Sequence, residues 1–139
     1  MGNALVSLIA AGIRFDEHMS YIEQVSRALI DTLEKTCKLD HQNFAGHAAN
    51  VDFWVSQAAN CFEVIDGYRQ RFDRLKETGT VQSRGIKDHV RKELRREVDS
   101  VVYRFIVRCH NEGFISRPKL NAISEQLGMS VSTADLQKS

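Results

Sequence analysis

Residues 47–68 read HAANVDFWVSQAANCFEVIDGY and hold the chain's only tryptophan. His47, Trp54, Cys61 and Tyr68 stand seven residues apart. Seven residues are two helical turns less about 20°, so these four form one column if the segment is helical. Beside that column, Phe44, Ala48, Val51, Val55, Ala58, Phe62, Ile65 and Phe72 follow the spacing of one helix face. Together the two rows predict a helix over 43–77 with an apolar face broad enough to touch two neighbours in a bundle. A cofactor-stacking role for Trp54 and Tyr68 would call for convergent polar partners. Their neighbours are Cys61, Ala58 and Phe62 instead, which is core composition. The column therefore reads as a core or interface seam of Trp54, Cys61 and Tyr68, with Phe53 and Val64 off the stripe as a second contact surface.

The same spacing extends to both sides. Leu5, Leu8, Gly12, Phe15, Met19, Ile22, Ser26, Leu29 and Leu33 predict one helix over 3–38. DHQN (40–43) is turn chemistry between the first two helices. ETGTVQSRG (77–85) reads as a loop, with Ser83 as a helix cap. Ile86, Val90, Leu94, Val98, Val101, Phe105 and Cys109 mark a third helix over 84–112, with Gly113 as its C-terminal cap. Ser116 and Pro118 open a short helix that runs to Leu127 and stops at Gly128. The expectation is an all-α, up-and-down bundle of three long antiparallel helices plus a short one. It occupies 1–128, with a polar tail over 129–139. Apolar faces this wide on helices this long are hard to cover in a monomer, so dimerisation around a two-fold is expected to complete the bundle.

Composition narrows the function classes. The chain has 139 residues, one proline and a net charge of +1, which suits one helical domain without a general attraction to nucleic acid or acidic surfaces. Cys37, Cys61 and Cys109 are odd in number and widely spaced, which fits a reducing, cytoplasmic setting rather than a disulfide framework. The apolar run Ala4–Ile13 is about half of what a membrane-spanning helix needs. It lacks the preceding cations of a signal peptide. Gly2 is followed by Val6 rather than the Ser or Thr of a myristoylation motif. No membrane partner is expected.

Chemistry-bearing patterns are sparse. A di-iron bundle site needs Glu-x-x-His, and no histidine here has a glutamate three residues before it. His47 with Asp52, and His89 with Glu93, are isolated fragments of a metal set. His47 and Asp52 would also lie about 140° apart around a helix. Cys109 and His110 are adjacent, so on a helix they do not face each other. There is no nucleophile elbow and no phosphate-binding loop. No cofactor, no metal and no enzymatic activity are expected.

Three features stay open at this level. Asp66-Gly67 inside the second helix marks a close approach of another helix or a bend, or a small polar pocket of Asp66, Tyr68 and Arg71. Residues 1–66 carry four Lys/Arg against nine Asp/Glu, and residues 67–139 carry fifteen against nine. Within that basic half, Arg84, Lys87, Arg91 and Arg95 share one helix face, a solvated row or a row able to contact phosphates. LNAISEQLGMSVSTADLQKS (120–139) resembles a helix-turn-helix DNA-binding motif. Ile123, Leu127, Gly128 and Met129 match its apolar and turn positions, and Ser130–Thr133 stand where a recognition helix would begin. The resemblance implies base reading by Ser130, Ser132 and Thr133, although Ser124, Ala134 and Gln137 depart from the pattern. The expected function is a non-enzymatic, self-associating module that binds an unidentified protein partner, with nucleic-acid binding through the tail and the basic row as the alternative.

Overall fold

A computed structural model describes residues 2–77 and 85–137, with side chains from Met19 onward except at 69, 71, 72, 75, 76 and 85–87. The first helix, α1 (Gly2–Cys37), is unbroken. Its described stripe of Met19, Ile22, Ser26, Leu29 and Leu33 is buried as the spacing predicts. Ser26 is the polar member of that row, and its hydroxyl accepts from the Cys61 thiol at 3.5 Å, so the core position keeps a partner.

The helix expected over 43–77 is two helices, α2 (His41–Ala48) and α3 (Val51–Glu77). DHQN is not an open turn. Asp40 caps α2, its carboxylate accepting from the Asn43 amide at 2.9 Å, and the next three residues are the first helical turn. The interruption falls at Ala49-Asn50, where the Asn50 side chain donates to the Gly46 carbonyl at 3.3 Å. A short amide of this kind competes with the helix ladder for backbone groups. The apolar phase survives the break, since Phe44, Ala48, Val51 and Val55 are all buried.

After the second long element come α4 (Gly85–Asn111) and α5 (Arg117–Leu127). Leu94, Val98, Val101, Val102, Phe105, Ile106 and Cys109 bury the α4 face. Gly113 (φ 84°) and Gly128 (φ 66°) end the two helices in left-handed backbone that glycine adopts without a Cβ penalty. At each end an amide reaches back five residues, Phe114 to Cys109 and Met129 to Ser124, both at 2.8 Å. Ser116 caps α5, with Pro118 in its first turn. The expected Ser83 cap and most of the 77–85 loop lie outside the described residues.

The core forms where α1 meets α3 and α4, with α3 against α4 and α5 resting on both. Among the described residues the chain is all-helical, with five α-helices, one 3₁₀ turn at Thr133–Asp135 and no strand. None of the helices there is long and apolar enough to cross a membrane. One guanidinium closes the end of α1. Arg108 of α4 donates to the Cys37 carbonyl at 2.8 Å and the Leu39 carbonyl at 2.5 Å, lies 4.1 Å over the Phe44 ring and pairs with Glu112. Those carbonyls lie at and just beyond the helix C-terminus, where orphan oxygens and the negative end of the dipole favour a cation.

Residues 129–137 are not a loose tail. Met129, Val131 and Leu136 pack on the core. Tyr103 of α4 bonds the Asp135 carboxylate and accepts from the Ser132 amide at 3.2 Å. Asn111 donates to the Asp135 carbonyl at 2.9 Å and accepts from the Gln137 amide at 3.0 Å. The segment is a strap along α4.

Candidate functional site

The broad apolar faces of α1 and α3 leave a groove between them. Val25, Ala28, Leu29 and Thr32 form one wall, and Phe53, Trp54 and Gln57 the other, around about 320 Å³. Phe53 is 54% exposed, and Tyr21, on α1, is 53% exposed; they are the large hydrophobics left in solvent among the described residues. Phe53 meets Trp54 edge to face, with centroids 5.0 Å apart, so the exposed ring is held by its neighbour. The Trp54 indole N–H is buried and finds no acceptor among the described residues. A buried donor without a partner carries a desolvation cost of about 1–3 kcal/mol.

The expected seam divides at this groove. Cys61 and Tyr68 are fully buried in the core, Trp54 and Val64 are half-buried, and Phe53 stands in solvent. Their separation follows from helix geometry, because adjacent residues point about 100° apart. Val25, Ala28 and Thr32 were not singled out by sequence reasoning. Their own three-and-four spacing beside the main α1 row was the available signal.

Asp66, Tyr68 and Arg71 are not seen to converge. Asp66 is exposed and accepts from Arg95 at 3.1 Å, whereas Tyr68 is buried and faces the core. The Arg71 side chain lies outside the described residues. The helix continues through Gly67, and a Cβ built there meets nothing within 4 Å, so no close helix approach explains the glycine.

Of the basic row, Arg84 and the Lys87 side chain lie outside the described residues. Arg91 pairs with Asp88 at 3.3 Å and sits 5.9 Å over Tyr68. Arg95 pairs with Asp66 at 3.1 Å and Asp99 at 3.3 Å, and lies 3.9 Å over Phe62. These two guanidiniums therefore serve the helix packing. The cations of α4 without a carboxylate partner among the described residues are Arg96 and Arg104, which the row omitted.

Among the described residues no α-helix follows Gly128, where the resemblance implies a recognition helix. Residues 129–132 are not helical, Ser132 is extended, and it caps only the three-residue turn that follows. A short helix needs apolar anchors to hold it, and Ala134 and Gln137 provide none.

His47 and Trp54 rings stand 6.0 Å apart at the end of α2, and His89 pairs with Glu93 at 3.0 Å. Among the described residues no three His, Cys, Asp or Glu side chains are grouped to hold a metal. Burial pushes the Cys109 thiol up to about 12, so at neutral pH it is a protonated core group beside His110.

No family description, no curated protein and no solved structure matches this chain.

Proposed function

We propose that the protein is a non-enzymatic, self-associating helical module of the cytoplasm whose task is protein interaction, and that two copies pair through the α1/α3 groove. The observation that carries this reading is the juxtaposition of an apolar groove with an exposed Phe53 on its rim, its ring edge to face with Trp54. A patch that contains both a knob and a hole suits an isologous contact, in which each copy inserts Phe53 into the other's groove. An aromatic anchor entering a desolvated pocket is the usual energetic centre of such an interface. Three free thiols support a reducing compartment.

Within each copy the three long helices run up, down and up. The pairings that support this are Cys61 to Ser26 between α1 and α3, with Phe53 lower on α3 facing Thr32 higher on α1. Between α3 and α4, Asp66 meets Arg95 while Tyr68 meets Arg91, again in opposed order.

Sedimentation velocity over a concentration series tests the reading. Wild-type protein is expected to move from monomer to dimer as concentration rises, and Phe53→Glu to remain monomeric with unchanged helix content. A strictly monomeric wild type at about 500 µM, where even a weak interface of about −5 kcal/mol would be occupied, contradicts it.

A further inference from the structure

Away from the α1/α3 groove, the outer face of α4 and the residues after α5 enclose a second, open groove of about 500 Å³. Arg95, Arg96, Asp99, Ser100, Tyr103 and Arg104 line it from α4, and Gly128, Met129 and Ser130 close the other side. Arg96, Ser100 and Arg104 follow at steps of four, so two arginines whose backbones rise about 12 Å along the helix bracket a hydroxyl, and the long flexible side chains can converge on it. Arg96 has no bonding partner among the described residues, and Arg104 makes one 3.4 Å contact to the Ser100 carbonyl. Arg95 is held by Asp66 and Asp99, so the groove keeps a net positive lining after its one carboxylate is counted. The far wall is fixed rather than swinging. Gly128 is locked as the α5 cap, and Tyr103 and Asn111 tie the strap that follows.

We propose that this groove binds a small phosphate-bearing anion, with phosphate oxygens taken by Arg96, Arg104 and the Ser100 hydroxyl and any organic part lying along Tyr103 and Met129. Guanidinium groups favour this ligand because their planar donor fork matches phosphate oxygens. The volume is that of a pocket for one small molecule. A nucleic-acid duplex fits less well, since a track of phosphates needs cations continuing along the helix. On α4 the next arginines toward the N-terminus, Arg91 and Arg95, are already engaged by carboxylates, and Asp135 stands against Tyr103 at the groove's edge.

The experiment is a titration of ¹⁵N-labelled full-length protein with ATP and, separately, with inorganic pyrophosphate, followed by amide shifts. Saturable shifts confined to residues 95–104 and 128–130, with a Kd at or below about 1 mM, are expected for at least one of the two. Tighter binding of ATP would assign the organic part to Tyr103 and Met129. Arg96→Gln and Arg104→Gln are each expected to weaken binding about tenfold, the loss of one charge-assisted bond. Both side chains are on the surface, so circular dichroism should show unchanged helix content, and Lys38→Gln, a surface cation elsewhere, should bind as wild type. The proposal is overturned if neither probe saturates by about 10 mM. Equal weakening by Lys38→Gln would also overturn it, as would a short DNA duplex saturating these amides when ATP and pyrophosphate do not.

Discussion

Replacing Arg108 with methionine isolates the guanidinium that closes α1. Methionine keeps an apolar stem over Phe44 and removes the hydrogen bonds to the Cys37 and Leu39 carbonyls, together with the Glu112 pair. Bonds from a charged donor contribute about 1.5–3 kcal/mol each, and the contact over Phe44 about 0.5–1 kcal/mol more. The 3.4 Å contact to the Thr36 carbonyl is too long to add much. The Arg108 side chain is 20% exposed, so water partly replaces these partners in the variant. A net loss of about 2–4 kcal/mol follows, equivalent to a fall in Tm of about 5–15 °C for a chain of this size.

Urea unfolding followed by circular dichroism at 222 nm measures that loss, and its pH dependence gives a second check. The Arg108 hydrogen bond, aided by His41, holds the Glu112 carboxyl below its usual value of 4.5. A depressed carboxylate adds stability that is complete above the unfolded pKa and is lost as pH falls through the folded one. The gap between wild type and Arg108→Met is therefore expected to be full at pH 7 and to narrow below about pH 4.5. A loss under about 0.5 kcal/mol at pH 7, or a gap that widens in acid, would refute the assignment of Arg108 as the closing group.

Gly67→Ala is expected to raise stability by about 0.5–1 kcal/mol in urea unfolding, since α3 is continuous there and the added methyl meets open space. Gly128→Ala should do the reverse, lowering stability by about 1 kcal/mol, because φ is 66° at that cap. Cys61 and Cys109 are expected to resist iodoacetamide at pH 8 in native protein and to react fully in urea, with mass spectrometry as the readout, because both are fully buried.

The bundle faces were legible because burial imposes the helical period directly on the letters. Every described member of the α1 stripe and of the 44–65 stripe is buried. The caps at Ser116, Gly113 and Gly128 were equally readable, each being a local backbone requirement met by a suitable residue type. The break at Ala49-Asn50 was not, since apolar spacing continues in phase through it and the cause is one side-chain amide. The part of Arg108 was invisible for a different reason. Nothing local marks an arginine that bonds carbonyls about 70 residues away. For the basic row, helix spacing tells which arginines share a face but not which carboxylates meet them. Arg91 and Arg95 are occupied, and the adjacent Arg96 has no carboxylate partner among the described residues. The tail resembled a second helix in its letters, but its described residues form only one 3₁₀ turn and are tied to α4 by Tyr103 and Asn111.

The central claim is that two copies pair through the α1/α3 groove, and an isotope-filtered NOE experiment tests it most directly. In an equimolar mixture of ¹³C-labelled and unlabelled protein at about 500 µM, about twice the Kd of a −5 kcal/mol dimer, only contacts between copies give cross-peaks. The account requires peaks from the Phe53 ring of one copy to the Val25 and Leu29 methyls of the other, and their loss in Phe53→Glu. Cross-peaks that instead join other surfaces, or none in protein that sediments as a dimer, would contradict it.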